Sequence, residues 1–275
     1  MSNTLSEENE AKLRALITQE GFGAVEELIV QHSVECAVLL LGEPEDYAVV
    51  GNARYGGVPD LPEYLDWPRD GYGKCLSFMM QINLADVPPI VGSPLPARGM
   101  LYCFHGDDAE SVCGEGSRIL YADVETRVLG RANKPDSYSM DEYARLKPYQ
   151  LEIQTALNLP QWTCPEYREV MHVLTGTGDL EAGYEDFASK VKNPAQRIVA
   201  GQLLGQPAWI GYVPDDQIAL SATVPQSEWF LLWRVNSSEE VEAIFWDAGY
   251  VQVYARREAA VQGSFGLTMT EVETS

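Results

Sequence analysis

The chain has 275 residues, with 41 Asp and Glu against 19 Lys and Arg, a formal charge of −22 and a sequence pI of about 4.4. A hydrophobic content of 45% with 22% charged residues excludes a disordered or fibrous chain. The acid excess leaves no basic surface with which to neutralise phosphates, so neither nucleic acid nor an anionic membrane is an expected partner.

The start, Met1-Ser2-Asn3-Thr4-Leu5-Ser6-Glu7-Glu8, is polar and acidic and reads as no signal peptide. Thr4 followed by Glu7 fits a capping box, and Leu13, Leu16 and Ile17 recur at helical spacing up to Gly21-Phe22-Gly23. Val25, Leu28 and Ile29 predict a second short helix. The aliphatic run at 36–41 then reads as a buried strand and is far short of the roughly 20 residues that span a bilayer. Gly and Pro punctuate residues 43–96, with apolar runs at 76–84 and 100–104 that read as strands joined by long loops.

Tyr149, Leu151, Ile153, Thr155 and Leu157 alternate with a period of two, the signature of a strand with one apolar face. Pro165 fits the first turn of a helix ending near Leu174, and Leu180, Tyr184, Phe187 and Val191 mark another before Asn193-Pro194. Residues 229–235 and 250–254 are the last predicted strands, and the final ten residues read as a loosely held polar tail.

Two stretches share an order of elements. Gly57-x-Pro59 precedes the run at 76–83 and Gly99-Met100 opens the next, while Gly205-x-Pro207 precedes 229–236 and Gly249-Tyr250 opens the last. In this alignment Gln81 falls opposite Arg234 and Asn83 opposite Asn236, a polar pair on one face of each strand. The expected fold is α+β and β-dominated, with two related antiparallel-sheet halves. N-terminal helices occupy 1–35, a first β-rich half 36–135, a strand and helical connecting region 136–200, and a second β-rich half 201–275, all in one compact unit.

The string Gly51-Asn52-Ala53-Arg54-Tyr55-Gly56-Gly57-Val58-Pro59-Asp60-Leu61-Pro62, then Trp67-Pro68, Leu76-Ser77-Phe78-Met79-Met80-Gln81-Ile82-Asn83-Leu84 and Leu95-Pro96-Ala97-Arg98-Gly99-Met100, resembles the YwqG-like family. So do Leu203-Leu204-Gly205-Gln206-Pro207 and Trp246-Asp247-Ala248-Gly249. The resemblance covers about residues 36–265 and implies a bacterial domain of two related β-rich halves, with no established activity. Where that family repeats a Gln in its second copy, this chain has Arg234; where a Gln follows the second Gly-x-Pro, it has Trp209-Ile210-Gly211.

Familiar chemistry leaves no trace in the motifs. There is no Gly-x-x-x-x-Gly-Lys-Ser/Thr loop, no Gly-x-Gly-x-x-Gly and no Gly-x-Ser-x-Gly elbow. Cys103 and Cys113 are too far apart for a zinc pair, and His32, His105 and His172 are isolated, so neither metal nor cofactor is expected. The five cysteines, Cys36, Cys75, Cys103, Cys113 and Cys164, read as reduced core residues of a cytoplasmic protein. A Cys/His pair such as Cys75 with His105 is a candidate nucleophile and base, and two of Asp60, Glu63, Asp66 and Asp70 around Trp67 are a candidate acid and base.

Amides on a strand face are costly to bury without partners, which singles out Gln81 and Asn83. If they line a cleft between the halves, Arg234 and Asn236 would face them with Asp247 near, in a polar pocket rimmed by Trp67, Trp233 and Trp246, while the Gly56–Pro62 loop would present Arg54, Tyr55 and Trp67 to a ligand. Three functions remain open. The first is a non-enzymatic protein whose acidic surface binds a basic protein partner, in an immunity-type or adaptor role. The second is a sensor or carrier of a small polar ligand held between the halves, and the third a carboxylate-dependent hydrolase.

Overall fold

Ser6, and not Thr4, caps the first helix: its hydroxyl accepts the Asn9 N–H at 3.3 Å, opening α1 (Glu7–Gln19). Thr4 instead bonds the Ser33 carbonyl at 2.8 Å. The computed structural model describes residues 4–106, 117–138, 146–162, 164, 166–208 and 228–273. Leu13 and Ile17 of α1 pack with α2 (Glu26–His32), α3 (Tyr167–Leu174) and α4 (Asp179–Lys192) in a cluster centred on Phe22, Tyr184 and Phe187. This cluster docks on the sheet through Leu157 and Leu159. The proposed role of Pro165 lies outside the described residues.

The apolar runs become strands β1 (Val34–Pro44), β4 (Ser77–Asn83), β5 (Met100–His105), β8 (Tyr149–Asn158), β10 (Trp229–Asn236) and β11 (Tyr250–Arg256). Between them lie shorter ones, β2 (Arg54–Tyr55), β3 (Asp60–Pro62), β6 (Ser117–Ala122), β7 (Leu129–Arg131) and β9 (Val199–Leu203). The stretch expected to be a loose tail forms β12 (Thr268–Glu273), paired along β11 from Thr268 with Ala255 to Glu273 with Tyr250. Its first three residues, Thr268, Met269 and Thr270, are all buried, so burial, not polarity, decides the outcome.

Ten strands form one antiparallel sheet in the order β12-β11-β10-β9-β1-β8-β2-β4-β5-β6, and β3 pairs with β7 in a separate ribbon. The fold is thus β-dominated, with a large antiparallel sheet and five α-helices among the described residues, the last being α5 (Arg257–Val261). β8, expected in a connecting region, lies at the centre of the sheet, where β1 and β2 flank it.

The sheet has two arms of matching register. Met80, Gln81, Ile82 and Asn83 face Cys103, Tyr102, Leu101 and Met100, with a register shift between Phe78 and Met80. Trp233, Arg234, Val235 and Asn236 face Val253, Gln252, Val251 and Tyr250, with a register shift between Leu231 and Trp233. Beside them, Arg54 pairs with Gln81 and Gln202 with Arg234. The turn that follows each short strand repeats a left-handed pair: Gly56 and Gly57 at φ 73° and 74°, Leu204 and Gly205 at 62° and 84°.

The sheet curls until its edge strands β6 and β12 lie close together, with the rings of Tyr121 and Phe265 at 5.9 Å. Its inner face is filled by one apolar cluster that draws on both arms, including Tyr55, Met80 and Leu101 from one and Trp233, Val253 and Ala255 from the other. Polar side chains of the inner strands are thereby driven to the outer face, under the loops that cover each arm. Among the described residues no helix is long and apolar enough to cross a membrane.

Candidate functional site

On the outer face of the first arm, Arg54 and Gln81 do come together, and what joins them is Asp60. The β3–β7 ribbon lays Asp60 against β2 and β4, where all three side chains are fully buried. One carboxylate oxygen of Asp60 receives Arg54 Nη2 at 2.5 Å, the Gly51 N–H at 2.9 Å and Gln81 Nε2 at 3.0 Å; the other receives Arg131 Nε at 2.5 Å. Gln81 Oε1 in turn accepts the Asp60 N–H at 2.8 Å, and the Tyr102 hydroxyl donates to the Asp60 carbonyl at 2.6 Å. Both guanidinium groups stack on Tyr47, with carbon-to-centroid distances of 4.8 Å for Arg54 and 4.1 Å for Arg131.

Burial alone would raise the Asp60 pKa, but the Gly51 N–H, Arg131, the Arg54 charge and Gln81 outweigh it and hold the carboxyl below its ordinary value. An ionised carboxylate tied to four donors is an anchor for a loop. It offers no proton to donate at neutral pH. Its supposed companions Glu63 and Asp66 are exposed.

The cleft expected between the halves is not formed by these residues. In the strand order β4 and β10 are five spacings apart, each about 4.8 Å, so Gln81 and Arg234 belong to separate places on the outer face. Trp233 points the other way, into the shared apolar interior, because neighbouring residues on a strand face opposite sides. Trp67 donates to the Leu76 carbonyl at 2.7 Å and packs edge-on to Phe104 and Tyr138, a wedge under the loop of the first arm. Trp246 is 59% exposed and Asp247 is exposed beside it. Asn83 accepts the Ala85 N–H at 3.1 Å and lines a groove of about 530 Å³ with Arg98 and Asp123.

Cys75 and His105 have different surroundings. His105 Nδ1 is 3.0 Å from the Ser117 hydroxyl and its ring meets Phe245 edge-on, and burial pushes its pKa down to about 4. Cys75 lies by Arg69 and Tyr138, where burial raises its thiol pKa. Cys36, Cys75, Cys103 and Cys164 are free and buried, and Cys113 lies outside the described residues.

A pocket of about 360 Å³ opens on the second arm, lined by Arg234, Tyr250, Asn236, Ser237, Ala208 and Trp162 among others. Arg234 lies over the Tyr250 ring at 5.2 Å, and its Nε is buried with no hydrogen-bond partner. Behind it Lys192, at the end of α4, donates to Gln202 Oε1 at 2.5 Å. Burial, with the charge of Arg234 adding to it, pushes the Lys192 ammonium down to about 7; burial also lowers Arg234. No Asp or Glu among the described residues pairs with either cation. The sequence singled out Arg234, but Lys192 lay hidden among ordinary helix charges.

The pattern built by Arg54, Asp60 and Gln81 and echoed at Arg234 spans most of the chain, as does the match to the family described as Domain of unknown function (DUF1963), over residues 53–273. The chain belongs to the DUF1963 family. No curated protein matches it. The DUF1963 region begins at β2 and runs through β12, so it takes in both outer-face sites and leaves α1, α2 and β1 ahead of it.

Proposed function

We propose that this DUF1963 protein is a non-enzymatic binding protein whose acidic exterior receives a basic protein partner, in an immunity-type or adaptor role. The observation that carries this reading is the fate of the cations. Among the described residues, ten of the chain's 19 Lys and Arg are held in ion pairs, against a total of 41 acids. This pairing leaves the net charge of −22 unchanged, and a field of one sign speeds encounter with a partner of the other.

Co-purification of the tagged protein at about 50 mM and about 500 mM salt tests it, since the Debye length falls from roughly 14 Å to roughly 4 Å over that range. A basic protein retained at low salt and released at high salt is expected. Retention of nothing, or of a partner indifferent to salt, overturns the reading.

Three finer assignments accompany it. A YwqG-like membership within the family is supported by the ordered string from Gly51 to Gly99. A duplication relating the two arms is supported by their matching registers and turns. A cytoplasmic location is supported by four free, buried cysteines.

A further inference from the structure

Asp60 and Ala208 hold matching places in the two arms. Each is the third residue after the second left-handed residue of its turn, Gly57 or Gly205. Each donates its N–H to a glutamine oxygen, Asp60 to Gln81 at 2.8 Å and Ala208 to Gln252 at 2.9 Å. Each carbonyl accepts a tyrosine hydroxyl, from Tyr102 at 2.6 Å and from Tyr250 at 3.1 Å. The arginine–glutamine pair beside them is exchanged between strands: Arg54 faces Gln81 in the first arm, Gln202 faces Arg234 in the second.

One group has no counterpart. In the first arm the Asp60 carboxylate neutralises the arginine, while in the second the matching side chain is the methyl of Ala208. What stands there is a pocket of about 360 Å³. A cation that is partly desolvated and unpaired is costly, and an anion entering beside it recovers that cost. Lys192 does not line the pocket; it lies behind Arg234, donates to Gln202 Oε1 at 2.5 Å, and brings no carboxylate to the arginine. We propose that this pocket binds a small organic carboxylate, whose head group sits against Arg234 as the Asp60 side chain sits against Arg54. The rings of Tyr250 and Trp162 supply flat walls for the organic body, a feature that a bare inorganic anion does not use. The inference is independent of the acidic exterior, and either can fail without the other.

The test is a thermal-shift and calorimetric titration with benzoate, propionate and inorganic phosphate, each at constant ionic strength against chloride. The full chain is compared with Arg234→Gln and Ala208→Asp. Arg234→Gln places in the second arm the amide that the first arm already carries at Gln81. Ala208→Asp supplies the missing carboxylate from within. Benzoate and propionate are expected to raise the wild-type melting temperature. Arg234→Gln is expected to weaken their binding at least about tenfold. Ala208→Asp is expected to abolish it while melting no lower than the wild type. Binding of phosphate but of neither carboxylate overturns the ligand class. No shift with any probe, or carboxylate binding unchanged in both variants, overturns the site.

Discussion

Arg131 stands directly across the β3–β7 ladder from Asp60, and its Nε donates to the carboxylate at 2.5 Å. The same carboxylate neutralises Arg54, whose side chain is 0% exposed. Asp60→Asn keeps the shape and removes the charge, leaving a buried guanidinium without its partner. A loss of about 3–5 kcal/mol is expected in urea unfolding, the usual cost of breaking a buried pair on one side. A loss under about 1 kcal/mol would show that Glu45, whose carboxylate is 4.0 Å from Arg54 Nη1, takes over the pairing.

Two groups make stability fall in acid, in separate windows. His105 is held neutral by burial with a folded pKa of about 4, against 6.5 when free, so the unfolded chain binds the extra proton. Stability is complete above about 6.5 and declines as the pH drops toward about 4, by no more than roughly 3 kcal/mol. Asp60, depressed below 3.8, contributes fully above its unfolded pKa and is lost only as the pH falls through its lower folded value. Urea midpoints followed from pH 7 down to 4 should lose most of their slope in His105→Asn. An unchanged slope would assign the titration to other groups.

The turn at Gly205 is tight as well as left-handed. A Cβ added there would stand 2.1 Å from Asn158 Oδ1 and 2.7 Å from Cys36 Cβ, whereas one added at Gly176, at φ 83°, meets nothing within 4 Å. Gly176→Ala should therefore cost about 1 kcal/mol from backbone strain alone. Gly205→Ala should cost at least about twice that, because backbone and packing must both yield. Equal losses in thermal melts of the two variants would refute the steric contribution.

Ending the chain at residue 266 would remove β12, strip the buried Met269 from Tyr254 and Leu231, and leave β11 as an open edge. The shortened protein is expected to melt at least about 5 °C lower and to aggregate, as light scattering would report. Unaltered melting would return these residues to the status of a tail.

Local pattern revealed what local chemistry decides. The aliphatic run of β1, the alternation of β8, the capped periodicity of α1 and the periodicity of α4 are written in consecutive residues. β9 and β12 were hidden because Val199–Leu203 and Thr268–Glu273 are short, mixed in polarity, and become strands only by pairing with distant partners. In the candidate sites, Gln81 and Arg234 stood out as polar residues within apolar runs. Asp60 looked like one acid among several around Trp67, since its burial depends on the β3–β7 ribbon that brings Arg131 back over 71 residues. The expected cleft failed because period two sends Trp233 and Arg234 to opposite faces.

β1 has its two neighbours in β8 and β9, at residues 149–158 and 199–203. During synthesis its Cys36, Leu39 and Leu40 therefore emerge from the ribosome more than a hundred residues before either flank that will cover them. At about 5–20 residues per second, this greasy segment waits for several seconds at least. The earliest strand to be born is among the last to be enclosed, and a nascent chain stalled before residue 149 would be a natural client for a chaperone.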